Sequence, residues 1–326
     1  MTLRKVKAVK LPAIIDCDPG HDDVMAILLG ARTLDLRGIT TVHGNASQEQ
    51  TTRNARQTVE FAGLTDVPVA AGLARPLVRQ PQYAPDVHGK TGLDGPDLPP
   101  PTVALHPQGA VDFILDQSRA LSDLHLLPIG PLTNIAAALI ADPTLPARVK
   151  QISLMGGSLT HGNVTPAAEF NIWCDAEAAH VVFTSGIPIK MLGLNVTRRV
   201  AATPERRAQI RTIGTRPAAI VADMLDFYSE QLGRLYGLPG GSMHDPLAVA
   251  ALVAPDILTF EPMHVAIELR GEQTYGMTLC DPRHLSIDYQ ATPAGHRGAP
   301  PNAEVAVAVN ADRFWELFLD VLATYR

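Results

Sequence analysis

The chain has 326 residues, 46% hydrophobic and 18% charged, with a formal net charge of −6. This composition fits a compact globular protein and argues against disorder. With no face-sized basic block in the chain, the charge argues against nucleic acid as a partner.

The N-terminus, "MTLRKVKAVK", is basic, as at the start of a signal peptide, but the following apolar run "LPAII" is too short for an h-region and runs straight into "DCD". No run of about 18 apolar residues exists, so no membrane span is expected. Cys17, Cys174 and Cys280 lie far apart without a C-x-x-C pair, which fits a reducing cytoplasm and gives no thiolate zinc site.

From residue 13 the chain alternates. "AIIDC", "LRGITTVHG", "VPVAA", "LHLLPIG", "VKQISLMGG" and "IPIKMLGLNV" read as buried parallel strands. Amphipathic stretches at 22–33, 47–63, 132–141, 175–185, 215–235 and 244–254 read as helices. This order predicts an α/β fold, an open and mostly parallel doubly wound sheet. Residues 259–290 change character and predict a small antiparallel β insertion near the C-terminus, a meander turning at "RGEQ" and "DPRH". A last helix is expected over 311–325, and the whole of 1–326 reads as a single domain with small insertions. The Pro-rich segment 75–107 reads as a long loop, either a lid or a plain surface excursion.

Polar residues collect where the strands should end, which in open α/β sheets is where ligands bind. The first strand runs into "DCDPGHDD", four carboxylates (Asp16, Asp18, Asp22, Asp23) in eight residues. Asp16 and Asp18 are two apart and should share a face. Pro19-Gly20 forces a turn, and Asp22 and Asp23 then enter the first helical turn, where the dipole favours negative charge. Capping accounts for Asp22 or Asp23 but not for Asp16 and Asp18 as well. Clustered carboxylates beside carbonyl and amide oxygens suit a hard divalent cation, Ca²⁺ or Mg²⁺. A purely structural cluster is the alternative. The later strand ends offer Asn45 in "HGN", Thr133 and Asn134 in "PLTN", Met155 in "LMGGS", and Asn163, Glu169 and Asn171 in "THGNVTPAAEFN". "NVTPAAEFN" reads equally as an ordinary polar loop. His244-Asp245 before "PLAVAALVA" reads either as a site pair or as a helix cap, with Asp at the N-cap and Pro at N1.

Together these motifs resemble the inosine–uridine preferring nucleoside hydrolase family, the nucleoside N-ribohydrolases. The D-x-D-P-G-x-D-D opening stands complete at Asp16–Asp23, followed in family order by "HGN", "HGKTGL", "GPLTN", "LMGGS", "GNVTPAAEFN" and "HDP". The resemblance covers nearly the whole chain and implies a ribonucleoside substrate, a Ca²⁺ cofactor, and a homodimer or homotetramer. By motif match the cation is held by Asp18, Asp23, Asp245 and the backbone carbonyl of Thr133. Asp22 and Asn171 contact the ribose 2′- and 3′-hydroxyls with Asn45 close by, Asn163 and Glu169 bind the 5′-hydroxyl, and Met155 packs beneath the sugar. Asp18 accepts the proton of a water on the metal, and His244 lies near the base and can protonate it. The base pocket is expected among Tyr228, Leu232 and Tyr236. Pyrimidine-preferring members carry Thr, Gln and Tyr at those spacings, and only the tyrosine agrees here. His88 in "VHGKTGL" is expected to close over the substrate.

Two rival readings exist. A haloacid-dehalogenase-like phosphatase also places D-x-D after a hydrophobic strand, but wants Thr or Val where Gly20 stands. A non-catalytic nucleoside or ribose binder would keep the site but release no free ribose.

Overall fold

The computed structural model describes residues 11–283 and 298–326. The first strand, β1 (Pro12–Cys17), is buried along its whole length. Strand alternation sends Ala13, Ile15 and Cys17 into one hydrophobic core and Ile14 into the other, so β1 lies between two layers of helices. After α1 (His21–Thr33) come β2 (Asp35–Thr41), α2 (Gln48–Phe61), β3 (Val69–Ala71), α3 (Pro85–His88), α4 (Ala110–Ala120) and β4 (Leu124–Pro128). The chain continues through α5 (Thr133–Ala141), β5 (Val149–Met155), α6 (Phe170–Cys174), α7 (Ala176–Phe183), β6 (Ile189–Leu192) and α8 (Leu194–Thr197). Then follow β7 (Ala201–Ala202), α9 (Pro204–Thr212), α10 (Arg216–Tyr236), β8 (Gly241–Ser242), α11 (Pro246–Val253), β9 (Leu258–Ile267), β10 (Thr278–Asp281), β11 (Ala303–Val309) and α12 (Ala311–Leu322).

Nine strands form one sheet in the order β10-β9-β11-β6-β5-β4-β1-β2-β3, and β7 and β8 make a separate antiparallel pair. From β1 the chain first builds outward through β2 and β3, then returns to build the other way from β4. The topological switch point therefore lies between β1 and β4, which pair in parallel from Ala13–His125 to Asp16–Pro128. A crevice at the carboxyl end of this junction is where an open α/β sheet binds ligand.

Among the described residues the expected strands and helices are present, with two differences. The "GLNV" end of the sixth strand folds instead into α8. The antiparallel strands do not stand apart: β9 pairs with β10 and β11, and β11 pairs in parallel with β6, so they extend the main sheet. The turn at "RGEQ" is present, whereas "DPRH" runs into 284–297, outside the described residues, as does the end of the expected meander. Sequence reading missed β11, α4 and α9. The α9 helix buries only Ile210, so it has no apolar stripe to detect.

Within the long 75–107 loop the sole helix is α3, and the loop is pinned to α2. Asn54 Nδ2 donates to the carbonyls of Pro19 and Thr91, Gln57 Nε2 to those of Leu98 and Pro99, and Arg56 Nε to that of Val103. Among the described residues, no helix is long and apolar enough to cross a membrane.

Candidate active site

A cleft of about 390 Å³ opens at the carboxyl ends of the central strands. It is lined by Asp22 from the first turn of α1, Asn45 after β2, Ile129 after β4, Met155 closing β5, and Glu169 and Asn171 at the start of α6. His244 and Asp245, before α11, complete the floor, and His88, Tyr228, Leu232 and Tyr236 form part of the side wall. Twelve of the site residues expected from sequence thus meet in one place: Asp22, Asn45, His88, Met155, Asn163, Glu169, Asn171, Tyr228, Leu232, Tyr236, His244 and Asp245.

Beneath the floor the carboxylates are packed tightly. One carboxylate oxygen each of Asp22, Asp23 and Asp245 lies within 4.8 Å of the others, and all three residues are buried. Asp23 is held rigidly: Oδ1 accepts from the Asp18 amide at 3.2 Å, and Oδ2 from the Gly20 amide at 2.9 Å and from Asn45 Nδ2 at 3.2 Å. Asp18 Oδ2 accepts from the Asn45 amide at 2.7 Å, while Oδ1 is buried without a hydrogen-bond partner. Asp245 stands at the N-cap of α11, yet its side chain makes no capping hydrogen bond. Asp245 and Pro246 thus occupy the expected N-cap and N1 positions, but the carboxylate does not cap the helix and is turned to its acidic neighbours.

None of the salt bridges among the described residues reaches Asp18, Asp22, Asp23 or Asp245. Burial, reinforced by the neighbouring carboxylates, pushes Asp18 and Asp245 well above the usual carboxylate range and Asp22 up to about 8. Asp23 rises to about 6, chiefly by burial. Isolated buried carboxylates of this density are costly unless a cation or protons neutralise them. The all-oxygen donor set and the orphaned Asp18 Oδ1 fit a hard divalent cation.

One sequence expectation is corrected here. Asp16 and Asp18 do not share a face. Asp18 lies beyond the end of β1, where strand alternation no longer governs direction. Its carboxylate sits where a methyl group on Gly44 or Gly130 would fall 2.0 Å from Oδ2 or 2.4 Å from Oδ1. Asp16 points away from the cleft, with Oδ1 accepting from Thr40 Oγ1 at 2.5 Å and Asn134 Nδ2 at 2.8 Å. Thr133, like Asp18 and Asp23, lies outside the lining of the cleft, and its hydroxyl donates to Asp175 Oδ2 at 2.7 Å. From the same segment Ile129 lines the cleft, and its carbonyl accepts from Asn171 Nδ2 at 2.8 Å. The helix of "PLTN" begins at Thr133 and carries it behind the rim.

Burial raises Asp16 to about 7, and its Oδ2 has no hydrogen-bond partner. The folded state thus binds a proton more readily than the unfolded chain between about pH 4 and 7, and the Asp16 contribution to stability falls as pH rises through that window. Asp16→Asn keeps the Oδ1 acceptor and removes the charge. The expected outcome is a melting temperature that gains on wild type as pH goes from 5 to 8. A difference independent of pH across that range would show that Asp16 does not titrate there.

Glu169 is the N-cap of α6, with its carboxylate accepting from the amides of Asn171 (2.9 Å), Gly157 (2.9 Å) and Ile172 (3.2 Å). Asn163 Oδ1 accepts from the Phe170 amide at 2.9 Å, which leaves its NH₂ group for the cleft. Asn171 Nδ2 also donates to the Met155 carbonyl at 3.1 Å, so its Oδ1 is the free atom. His244 Nδ1 lies 2.7 Å from Thr197 Oγ1, and burial, with the nearby Arg198 charge adding, lowers its pKa to about 3. His88, His21 and Tyr228 pack as a triangle with ring centroids 5.3 Å apart, and burial keeps His88 neutral. Sequence reading missed Ile129, Arg198, Tyr83, Phe170 and Trp173 in the lining, and His21 behind His88. His21 had a signal, the variable position of the aspartate motif; the others carry no spacing that marks them.

Residues 13–316 match the sequence profile described as inosine-uridine preferring nucleoside hydrolase. The pyrimidine-specific ribonucleoside hydrolase RihA of Escherichia coli strain K12 is 40% identical over 97% of this chain and 99% of its own. The pyrimidine-specific ribonucleoside hydrolase RihB of Escherichia coli O17:K52:H18 is 38% identical over 97% and 98%. Among solved structures, the purine-preferring ribonucleoside hydrolase from Gardnerella vaginalis superposes with a TM-score of 0.87 at 34% identity, covering 96% of this chain and 98% of that one. A buried acidic floor under a sugar-sized cleft, in a chain alike from end to end with these hydrolases, makes the protein a member of the inosine-uridine preferring nucleoside hydrolase family, enzymes that cleave the N-glycosidic bond of ribonucleosides.

Proposed function

We propose that this chain hydrolyses ribonucleosides to ribose and free base with Ca²⁺ at the floor of the cleft, and that uridine and cytidine are turned over ahead of purine nucleosides. The observation that carries the reading is the orphaned Asp18 Oδ1 beside the Asp22–Asp23–Asp245 group. Asp23, Asp245 and Asp18 would hold the cation, with the Ile129 carbonyl as the backbone oxygen at that level in place of Thr133. Ca²⁺ suits such a set better than Mg²⁺, which demands near-ideal octahedral geometry and keeps its waters. When bound, the cation supplies a Lewis acid that lowers the pKa of water and favours binding of vicinal hydroxyls.

The side chains do the rest. Asp18 is the general base: Asn45 fixes Oδ2, so Oδ1 faces the attacking water. Asp22 and the Asn171 Oδ1 accept from the ribose 2′- and 3′-hydroxyls. The Asn163 NH₂ donates to the 5′-oxygen, and Glu169 accepts from it. Positive charge builds on the ribose ring as the bond breaks, and the surrounding carboxylates and amide oxygens are already aimed at it. His244 is neutral at working pH; in the tautomer whose Nδ1 accepts from Thr197, Nε2–H is the donor offered to the base, a hydrogen bond rather than a full proton. The pyrimidine-first order rests on the names of the relatives at about 40% identity, with the aromatic and apolar Tyr228 and Leu232 as the wall that meets the base.

The phosphatase reading is disfavoured because Asp16, the leading aspartate of its D-x-D pair, faces Thr40 and Asn134 and not the cleft. The test is a reducing-sugar assay with uridine, cytidine, inosine and adenosine, beside p-nitrophenyl phosphate. Chelation should lower ribose release by roughly 100-fold or more, and added Ca²⁺ should restore it. Phosphate release without ribose release, or ribose release indifferent to chelation, would sink this reading.

A further inference from the structure

Arg198 is the single Lys or Arg among the residues lining the cleft. It is the C-cap residue of α8, directly after Thr197, whose hydroxyl holds His244 on the base side. Its Nη1 lies 2.7 Å from His161 Nε2, and no salt bridge to a carboxylate is among its described interactions. A half-buried, always-charged guanidinium at the cleft wall, with no carboxylate bonded to it among the described residues, is free to meet an anionic group on a bound ligand. We propose that Arg198 is a leaving-group residue that stabilises the departing uracil-type anion and so sets a preference for bases whose N1 anion spreads onto ring carbonyl oxygens.

This deepens the function proposed above and rests on it. When the C1′–N1 bond breaks, its electron pair goes to N1 and spreads over O2 and O4. Water adds to C1′ and gives its proton to Asp18, which returns it to solvent; the uracil anion takes a proton from solvent on release. A guanidinium meeting one of those oxygens acts where charge develops only in the transition state. A 5′-phosphate is the rival counterpart for Arg198, because His161 lies on the loop that carries Asn163. The loop argues against it. The backbone amides at the start of α6 are already taken by the Glu169 carboxylate, whose negative charge would repel a phosphate.

Arg198→Gln and Arg198→Lys, assayed with Ca²⁺ present, separate these roles. The substrates are uridine, 5-fluorouridine, 4-nitrophenyl β-D-ribofuranoside and uridine 5′-monophosphate. Nitrophenolate is stable without assistance, so turnover of that riboside reports folding and the ribose machinery. Arg198→Gln should lower kcat/KM for uridine by about 100-fold, for 5-fluorouridine by less, and for the nitrophenyl riboside by no more than about threefold. Arg198→Lys should fall between. Equal losses on uridine and the nitrophenyl riboside, no loss on uridine, or a loss confined to the 5′-monophosphate would each overturn the proposal. Failure of the underlying function looks different: wild type would release ribose from neither riboside, removing both claims.

Discussion

Asp18→Asn should lower kcat for ribose release by about 10³–10⁴-fold while nucleoside affinity stays within about threefold. Asparagine retains an oxygen to accept from the Asn45 amide, so the carboxamide keeps its place between the strand ends. It cannot take a proton. The environment makes the loss large. Asp18 is 1% exposed and its free oxygen has no other partner, so no neighbour can substitute as base without rearrangement. Steady-state kinetics at rising Ca²⁺, with nucleoside binding by calorimetry, separates the two ways this residue can act. A defect that persists at saturating Ca²⁺ marks the lost base. Full recovery with Ca²⁺ would reduce Asp18 to a metal ligand, and the general base would have to be sought among Asp22, Asp23 and Asp245.

The second large effect comes from a residue with no functional group. Gly130→Ala should cost roughly 100-fold in kcat, the size of loss that follows a reacting group displaced by about 1 Å. A Cβ on Gly130 would lie 2.4 Å from Asp18 Oδ1 and 3.1 Å from the Asp18 amide nitrogen. The carboxylate can swing, but it swings off the line that Asn45 sets. Gly109→Ala is the control: its Cβ would meet only the Ala71 carbonyl, at 3.5 Å, in ordinary contact. Kinetics of both variants, each checked for folding by thermal melting, tests the point. Normal kcat in a folded Gly130→Ala protein would mean that Asp18 tolerates displacement and does not act through a fixed geometry.

Much of this protein is legible along the chain because the signals are local. A run such as "AIIDC" has strand periodicity and apolar bulk wherever it lands, and the strand-helix alternation then permits few sheet topologies. The D-x-D-P-G-x-D-D motif raises the expectation of a cation site through charge density alone, and the polar strand ends announce the rim. Direction is what the sequence leaves open. Asp16 and Asp18 look equivalent at a spacing of two, yet the strand stops between them, and one serves Thr40 and Asn134 while the other serves the site. Thr133 and Ile129 are four residues apart, and only the start of α5 decides which of them lines the cleft. The strand β11 becomes a strand because β6 and β9 flank it, and α9 is a helix with one buried residue. Arg198 has no motif at all; it enters the cleft because α8 ends where the loop bearing His161 passes. Periodicity and turn chemistry act over a few residues and can be read in one dimension. Which atoms face each other across the switch point depends on contacts between residues over a hundred positions apart, and those exist only once the sheet has closed its two cores.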